Sequence, residues 1–247
     1  MKKILLTLIL SVTSLLAGEI NIAVAANVSY AMDELKAEFA KISPQTKVQV
    51  TLGSSGKLVA QIKSGAPYGV FMSANMKFPE ALYSEGLTSA KPVVYAQGSL
   101  AYLSAQKQDF SKGINLLISK NINKIAIANP TTAPYGKAAV EAMQKAKIYD
   151  EVKGKFVYAE SISQVVTYAT TAADIGFVAK SSLYSPKMSQ FKEGVNYMEV
   201  DPKLYTPIKQ GIVLMKNVET NKEYKAFYDF ILSEKAKTIF RKYGYII

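Results

Sequence analysis

The sequence predicts an α/β protein made of two lobes, each built around a parallel sheet. Strands alternate with helices along the chain, which is the pattern of parallel α/β sheets. Two extended segments divide the 247 residues, a length that suffices for two domains of roughly 120 residues each. Apolar residues make up 49% of the chain and charged residues 20%, as in an ordinary globular protein.

The first lobe is expected to begin with a strand over 19–24, followed by a helix. That helix has Met32, Leu35, Phe39 and Ile42 at helical spacing, so all four are expected on its buried face. Further strands are expected at 48–52, 70–74, 92–96, 99–104, 124–128, 156–159, 174–179, 197–200 and 211–215, a short helix at 115–119, and two closing helices at 222–232 and 234–243.

The extended segments 92–98 and 201–207 are expected to connect the two lobes and to act as a hinge. The predicted division assigns 18–97 and 206–247 to the first lobe and 98–205 to the second. One lobe is therefore inserted into the other along the chain.

The first 17 residues have the features of an export signal, a positive start followed by an apolar stretch. That stretch is too short for a comfortable membrane span, and Ala17 provides a small residue for cleavage. A second small-residue site at 23–25 is rejected because cleavage there would remove the first strand. We therefore expect residues 1–17 to be a signal peptide that is cleaved near Ala17.

Composition excludes several classes of site. Cys and His are absent, which excludes disulfides, thiolate metal sites and a cysteine nucleophile. Without residues 1–17 the chain has 28 Lys and Arg against 19 Asp and Glu, a net charge of +9. The basic residues are scattered, without an arginine cluster or interleaved aromatic residues, so a solvated surface is favoured over nucleic-acid binding. A basic surface also suits an anionic ligand.

Four turns connect a strand to a following helix, and they are the best candidates for a ligand site. The turns are 25–29, 53–56, 129–136 and 160–163, and helices are expected after the last three over 57–63, 137–146 and 164–171. In open α/β sheets ligands bind beyond the carboxyl ends of the strands. Helix N-termini present free N–H groups and a partial positive charge there.

If the lobes face each other, backbone N–H groups around Asn27, Ser55, Tyr135 and Ile162 can converge on one anion, together with the Ser55 hydroxyl and the Asn27 amide. The first three turns contain no Asp or Glu, and Glu160 beside the fourth is expected to point outward. A donor-rich site without a carboxylate suits a fully deprotonated tetrahedral oxyanion. The alternative for 53–56 is a serine that simply caps a helix, and Lys57 is expected to point to solvent.

Motifs spread over essentially the whole mature chain carry a family resemblance. They are Ala-Ala-Asn-Val-Ser at 25–29, Gly-Ser-Ser-Gly at 53–56, Gly-Ala-Pro-Tyr at 65–68, Ala-Pro-Tyr-Gly at 133–136, Ser-Ile-Ser-Gln at 161–164 and Asp-Ile-Gly-Phe-Val-Ala at 174–179. In this order they resemble the periplasmic molybdate-binding proteins of ABC uptake systems. The resemblance implies a type II periplasmic binding protein, in which two α/β lobes joined by a two-segment hinge close on the ligand in their cleft.

The resemblance also implies a function. Such a receptor lies in the periplasm as a monomer, binds molybdate or tungstate, and delivers it to a membrane permease. It is expected to have no cofactor, no enzymatic activity and no nucleic-acid partner. The metal is bound only as the oxyanion, through the same residues. Molybdate and tungstate have nearly the same size and charge, so the sequence does not separate them.

Carried over by position, the resemblance implies ligand contacts from Asn27 and Ser55 and from the backbone of Tyr135 and Ile162. Some members of the family have a threonine at the position of Ala26, and others a ligand-contacting tyrosine at the position of Ala179. Both hydroxyls are missing here. The nearby hydroxyls of Ser29 and Ser54 are the candidates to replace them.

Three alternatives remain at the level of sequence. The site could take another anion. The 16 tyrosines allow a ferric-iron receptor, although no two are adjacent. A hydrolase using Ser55 and Lys57 is a third alternative, but no His is available to form a triad. A nucleotide-binding P-loop does not fit, because its pattern requires glycine at Thr51 and a hydroxyl residue at Leu58.

Overall fold

The structure, a computed structural model, describes residues 18–247, so the predicted signal peptide and its cleavage near Ala17 lie outside the described residues. The strands are β1 (Gly18–Ala25), β2 (Thr46–Gly53), β3 (Val70–Met72), β4 (Val93–Gly98), β5 (Leu100–Leu103), β6 (Ile125–Ala128), β7 (Phe156–Ala159), β8 (Ile175–Ala179), β9 (Tyr197–Glu199) and β10 (Ile208–Leu214).

The α-helices are α1 (Ser29–Ala40), α2 (Ser55–Lys63), α3 (Lys77–Ser84), α4 (Pro134–Lys145), α5 (Tyr149–Val152), α6 (Ile162–Thr171), α7 (Lys222–Leu232) and α8 (Glu234–Lys242). Short 3₁₀ helices cover Ala26–Val28, Phe110–Ile118, Lys153–Lys155, Lys180–Tyr184, Pro186–Met188, Pro202–Leu204 and Lys216–Val218. None of the helices described between 18 and 247 is long and apolar enough to cross a membrane.

Two five-stranded sheets form the cores of the two lobes. The first has the order β2-β1-β3-β10-β4 and the second β7-β6-β8-β5-β9. The predicted parallel strands are present, with β2, β1 and β3 parallel in the first sheet and β7, β6 and β8 in the second. Both sheets are nevertheless mixed, because β10 runs antiparallel to β3 and β4, and β5 runs antiparallel to β8 and β9. The reason is the connection between the lobes: β4 and β5 carry the chain out of the first sheet into the second, whereas β9 and β10 carry it back. Each outgoing strand therefore lies antiparallel to the returning strand beside it, β4 to β10 and β5 to β9.

The chain connects the two sheets twice. It leaves the first sheet after Gly98 and returns to it between Glu199 and Ile208. The lobe boundaries given by the sequence, 18–97 with 206–247 against 98–205, remain a proposal.

Helices cover both faces of the first sheet. Along β1, Ile20, Ile22 and Val24 face a core formed with α1, α7 and α8, whereas Ala23 faces α2 and α3. This alternation is the period of two expected for a strand. The second lobe packs α4 and α6 against β5, β6 and β8 in a single core. Helices on both faces hold the ends of the parallel strands, where the turns lie, in fixed positions.

Some predicted helix bounds are wrong. Helix α1 ends at Ala40, so Ile42 lies beyond it and is 61% exposed. The segment expected at 115–119 is part of the 3₁₀ helix Phe110–Ile118. Helices α2, α4 and α6 start two or three residues earlier than predicted.

The early helix starts have local causes. Pro134 opens α4, where the N–H that proline lacks would have had no helical partner. Ser161 caps α6, since its Oγ accepts a hydrogen bond from the Gln164 N–H. As a consequence, Ser55, Tyr135 and Ile162 are first-turn helix residues rather than turn residues.

Candidate anion-binding site

A small buried cavity lies between the two lobes, where the four predicted turns meet. The space open to the centre of a water-sized sphere is about 10 Å³, close to the smallest cavity that holds one water molecule. Its lining residues are Ala25, Ala26, Asn27, Gly53, Ser54, Ser55, Ala74, Ala133, Pro134, Tyr135 and Ile162. The lobes are therefore closed tightly around this point.

The structure brings together most of the residues that the sequence singles out. Asn27, Ser55, Tyr135 and Ile162 all line the cavity, as do Ala26 and Ser54. Ser29 is not among the lining residues, although it lies only two positions from Asn27. Ala179, the last residue of β8, is buried but also lies outside the lining.

Three helix N-termini meet at the cavity. Ser55, Tyr135 and Ile162 belong to the first turns of α2, α4 and α6, and no hydrogen bond of the described residues uses their backbone N–H groups. First-turn N–H groups have no acceptor within their own helix and carry partial positive charge. Their convergence makes the cavity a site for an anion.

The two serines of the Gly-Ser-Ser-Gly turn do not cap the helix that follows. Ser54 is the residue that precedes α2, but its side chain makes no capping hydrogen bond. Its Oγ is buried without a partner among the described residues. The Oγ of Ser55 accepts a hydrogen bond of 3.0 Å from the Ala74 N–H, which leaves its own hydrogen to be donated. The capping interpretation is therefore wrong for both side chains.

Asn27 is fully buried in the 3₁₀ turn Ala26–Val28. Its Nδ2 donates to Gln210 Oε1 at 2.8 Å and to Tyr245 Oη at 3.0 Å, while its Oδ1 has no partner among the described residues. The hydroxyls of Ser181 and Tyr245 donate to the Asn27 backbone carbonyl. In this conformation the Asn27 amide hydrogens are not free to donate to a ligand, contrary to the expectation from the sequence.

The cavity lining contains no carboxylate and no lysine. Lys57 and Glu160, from different lobes, form an ion pair beside the cavity. Both side chains are more than half exposed, as expected from the sequence. Burial raises the pKa of Tyr135 well above its usual value, with a smaller effect of the neighbouring Tyr245 and Tyr95. Tyr135 is therefore a neutral phenol, and the site relies on neutral donors.

A larger groove, of about 320 Å³, lies nearby between α4 and residues 206–209, where the returning chain enters β10. Its lining is mostly apolar and includes the Glu141 carboxylate, and its lysines, Lys77, Lys137 and Lys209, are exposed. Because it offers a carboxylate and hydrated ammonium groups rather than converging N–H groups, it suits an anion less well than the small cavity.

The two lobes touch directly at Gly56. Its N–H donates to the Thr132 carbonyl across the cleft at 2.8 Å. A Cβ atom at position 56 would lie 3.0 Å from Thr132 Cα and 3.1 Å from Phe78 Cζ. The glycine therefore allows a close approach of the lobes rather than an unusual backbone angle.

Sequence reasoning did not find four residues around the site. Ala74 follows the end of β3 and could have been found by the same rule that identified the other turns. Ser181, Gln210 and Tyr245 gave no local signal, because they approach Asn27 from positions at least 150 residues away along the chain.

Two α/β lobes, a two-segment hinge and a buried cavity between them define a two-lobed solute-binding receptor. The chain belongs to the family described as bacterial extracellular solute-binding protein, whose model matches residues 20–246. This confirms the class of protein that the sequence motifs indicate.

Particular relatives share most of the chain. The molybdate-binding protein ModA of Rhodobacter capsulatus is 38% identical over 233 residues, which cover 93% of this chain and 89% of that protein. ModA of Azotobacter vinelandii is 36% identical over 232 residues, with 93% and 90% coverage. The solved Azotobacter vinelandii periplasmic molybdate-binding protein superposes with a TM-score of 0.83 at 29% identity, covering 92% of this chain and 99% of that one.

Proposed function

We propose that the protein is the exported receptor of a molybdate uptake system: it binds molybdate or tungstate between its lobes and delivers the ion to an ABC permease. The observation that carries this proposal is the convergence of three helix N-termini and the Ser55 hydroxyl on a cavity without a carboxylate. The relatives named for molybdate binding support the choice of ligand. The working location is the periplasm, as a monomer, after cleavage near Ala17.

The donor set suits a dianion that carries no proton. The N–H groups of Asn27, Ser55, Tyr135 and Ile162 and the two serine hydroxyls provide about six donors. Hydrogen bonds to a charged group contribute roughly 1.5–3 kcal/mol each, so about six can offset the desolvation of a dianion and leave micromolar or tighter binding. No carboxylate is among the residues described as lining the cavity, so none is available to accept the proton of hydrogen phosphate.

Ser54 is the proposed replacement for the hydroxyl that some family members have at position 26. Ala26 lines the cavity and has no polar side-chain atom, whereas Ser54 lines the same cavity and its Oγ is buried without a partner among the described residues. Ser29, the other candidate, lies outside the lining. The contact from Ser54 therefore compensates for Ala26.

The alternatives from the sequence have less support. Lys57 pairs with Glu160 and does not line the cavity, so it is not placed to act as a base for Ser55 in a hydrolase. A ferric site needs tyrosinate ligands, and burial raises the pKa of Tyr95, Tyr135 and Tyr245 well above the usual value. No group of three or more carboxylates in residues 18–247 is placed to hold a metal ion.

Isothermal titration of the mature protein with molybdate, tungstate, sulfate and phosphate tests the proposal. We expect micromolar or tighter binding of molybdate and tungstate and far weaker binding of the other two anions. Heat with sulfate alone would contradict the molybdate assignment, and turnover of an ester would favour the hydrolase.

A further inference from the structure

A buried network of side chains lies behind the cavity and connects the two lobes. At its centre is Gln210 of β10, which is fully buried and does not line the cavity. Its Oε1 accepts hydrogen bonds from Asn27 Nδ2 at 2.8 Å and from Tyr95 Oη at 2.7 Å. Its Nε2 donates to Tyr135 Oη at 3.1 Å. Gln210 therefore touches one cavity residue from each lobe.

The space for this arrangement comes from Gly98, the last residue of β4. A Cβ atom there would lie 1.9 Å from Tyr135 Oη and 2.6 Å from Gln210 Nε2. Tyr135 can therefore reach Gln210 only because the residue at this lobe connection has no side chain. The contact between Tyr135 and Gln210 spans the hinge.

Two polar groups of the network are unpaired in the observed pattern. Asn27 Oδ1 has no hydrogen-bond partner, and the Tyr135 hydroxyl accepts from Gln210 without a recorded acceptor for its own hydrogen among the described residues. An unpaired buried polar group is unfavourable, because it has lost its hydrogen bonds to water without gaining others. A pattern in which the unpaired group of Asn27 can bond to the ligand is therefore stabilised when the ligand binds.

The same atom positions allow a second pattern, in which the amides of Asn27 and Gln210 are both rotated by 180°. An amide exchanges its donor and acceptor ends in this rotation. Gln210 would then donate to Asn27 Oδ1 and to Tyr95 Oη and accept the hydroxyl hydrogen of Tyr135. The hydroxyl hydrogen without an acceptor would therefore move from Tyr135 to Tyr95. The group left unpaired on Asn27 would be its NH₂ group in place of its carbonyl oxygen.

An oxyanion distinguishes between these two patterns. It repels a carbonyl oxygen and accepts hydrogen bonds from an NH₂ group, so the ligand stabilises the rotated pattern relative to the observed one. A ligand shifts such an equilibrium by the difference between its affinities for the two states. The rotated pattern also gives the Tyr135 hydroxyl an acceptor on Gln210. The orientation of the Asn27 amide is therefore linked, through Gln210, to a hydrogen bond with the other lobe.

We propose that Gln210 is a positioning residue of the anion site: it turns the Asn27 amide so that Nδ2 donates to the oxyanion, and it ties this change to Tyr135 in the closed protein. This inference rests on the proposed function and extends it to a residue that does not touch the ligand. Gln210 acts on affinity through Asn27.

A double-mutant cycle measured by isothermal titration with sodium molybdate tests the inference. The variants are Asn27→Ala, Gln210→Met and the double variant, with Gln97→Met as the matched control. Methionine has a similar volume without either polar end, and Gln97 lies on β4 with no recorded side-chain hydrogen bond among the described residues. We expect Gln210→Met to weaken binding about 10- to 100-fold and Gln97→Met to leave it unchanged.

If Gln210 acts through Asn27, the double variant loses no more affinity than the weaker-binding single variant. Losses that multiply, or a Gln210→Met affinity within about threefold of the wild type, would overturn the role of Gln210 while leaving the proposed function intact. Wild-type protein that binds none of the oxyanions would overturn the proposed function and this inference with it.

The substitution Gln210→Glu is a second test that keeps the shape of the side chain. An ionised carboxylate only accepts hydrogen bonds, so it holds the Asn27 NH₂ group away from the ligand, whereas a protonated one can donate to Oδ1. Molybdate affinity should therefore recover as the pH falls from about 8 to 5, with no such change in the wild type. The same substitution in the Asn27→Ala background measures only the repulsion between the new carboxylate and the anion. An equal recovery of molybdate affinity at low pH in both backgrounds would contradict the inference.

Discussion

The Ser55 hydroxyl is oriented by the protein before a ligand is bound. Because the Ala74 N–H occupies one acceptor position of its Oγ, the hydrogen is directed elsewhere, and the residue is fully buried in the cavity lining. Such preorganisation reduces the cost of ordering a donor on binding. Gly56 and Gly98 act differently: the first allows the backbones of the two lobes to approach each other, and the second allows the side chains of Tyr135 and Gln210 to do so.

Removing the Ser55 hydroxyl should weaken anion binding without unfolding the protein. For Ser55→Ala we expect a loss of about 1–3 kcal/mol, or roughly 5- to 150-fold in the dissociation constant for molybdate, measured by titration calorimetry. Ser29→Ala is the matched control, since Ser29 also begins a helix but lies outside the cavity lining. Equal affinities for the wild type and Ser55→Ala would remove Ser55 from the site.

A methyl group at position 56 should hold the lobes apart. The added Cβ would meet backbone atoms of Thr132, which cannot move as easily as a flexible side chain. For Gly56→Ala we expect molybdate binding to weaken about tenfold, with an unchanged or slightly raised thermal midpoint, because alanine favours the helix that begins there.

Gly154→Ala is the control for this substitution, because a Cβ atom at Gly154 meets nothing within 4 Å. Small-angle scattering of the ligand-bound proteins should show a larger radius of gyration for Gly56→Ala than for the control. An equal radius and an equal affinity would show that the close approach at Gly56 is unimportant for closure.

At the scale of the elements, the site depends on where three helices begin. The sequence predicts the ends of the four strands that precede the polar turns to within one residue, because these ends follow from local patterns of apolar and small residues. It places the starts of α2, α4 and α6 two or three residues too late, since a turn and a first helical turn have similar compositions. Ser55, Tyr135 and Ile162 were nevertheless identified, because they lie at the junction in either case.

The part of the site that could not be predicted is the network behind the cavity. Gln210 and Tyr245 reach Asn27 across 183 and 218 positions of the chain, and each lies in an ordinary strand or tail sequence. No local periodicity encodes such a contact. The same limitation explains the antiparallel strands, because the direction of β10 depends on how the chain returns through the hinge.

The ion pair between Lys57 of α2 and Glu160 should contribute little to binding. Both side chains are exposed, and exposed pairs contribute about 0–1 kcal/mol and are screened by salt. For Lys57→Met we expect molybdate affinity within about fivefold of the wild type, with the difference disappearing at high salt. Lys63→Met is the control, because Lys63 pairs with Glu85 inside the first lobe at similar exposure. A loss above about 50-fold would place Lys57 in the site.

For the whole molecule, the neutral character of the site determines how binding and stability depend on pH. Tyr135 is the titratable residue of the cavity lining, and burial raises its pKa well above the usual value. Burial likewise raises the pKa of Tyr95 and Tyr245 in the network behind it. These phenols stay neutral wherever an unfolded tyrosine, with a pKa of about 10, is neutral.

Molybdate affinity should therefore be constant between about pH 6 and 9, and folding stability should fall only at alkaline pH. A tyrosine whose pKa is raised by folding contributes stability that is fully present below the unfolded pKa of about 10 and is lost as the pH rises through the folded pKa. Titration calorimetry between about pH 6 and 9 measures the affinity, and thermal unfolding carried on above about pH 10 measures the stability. An affinity that changes more than about threefold between pH 6 and 9 would indicate a titrating group at the ligand, and would contradict a site made of neutral donors.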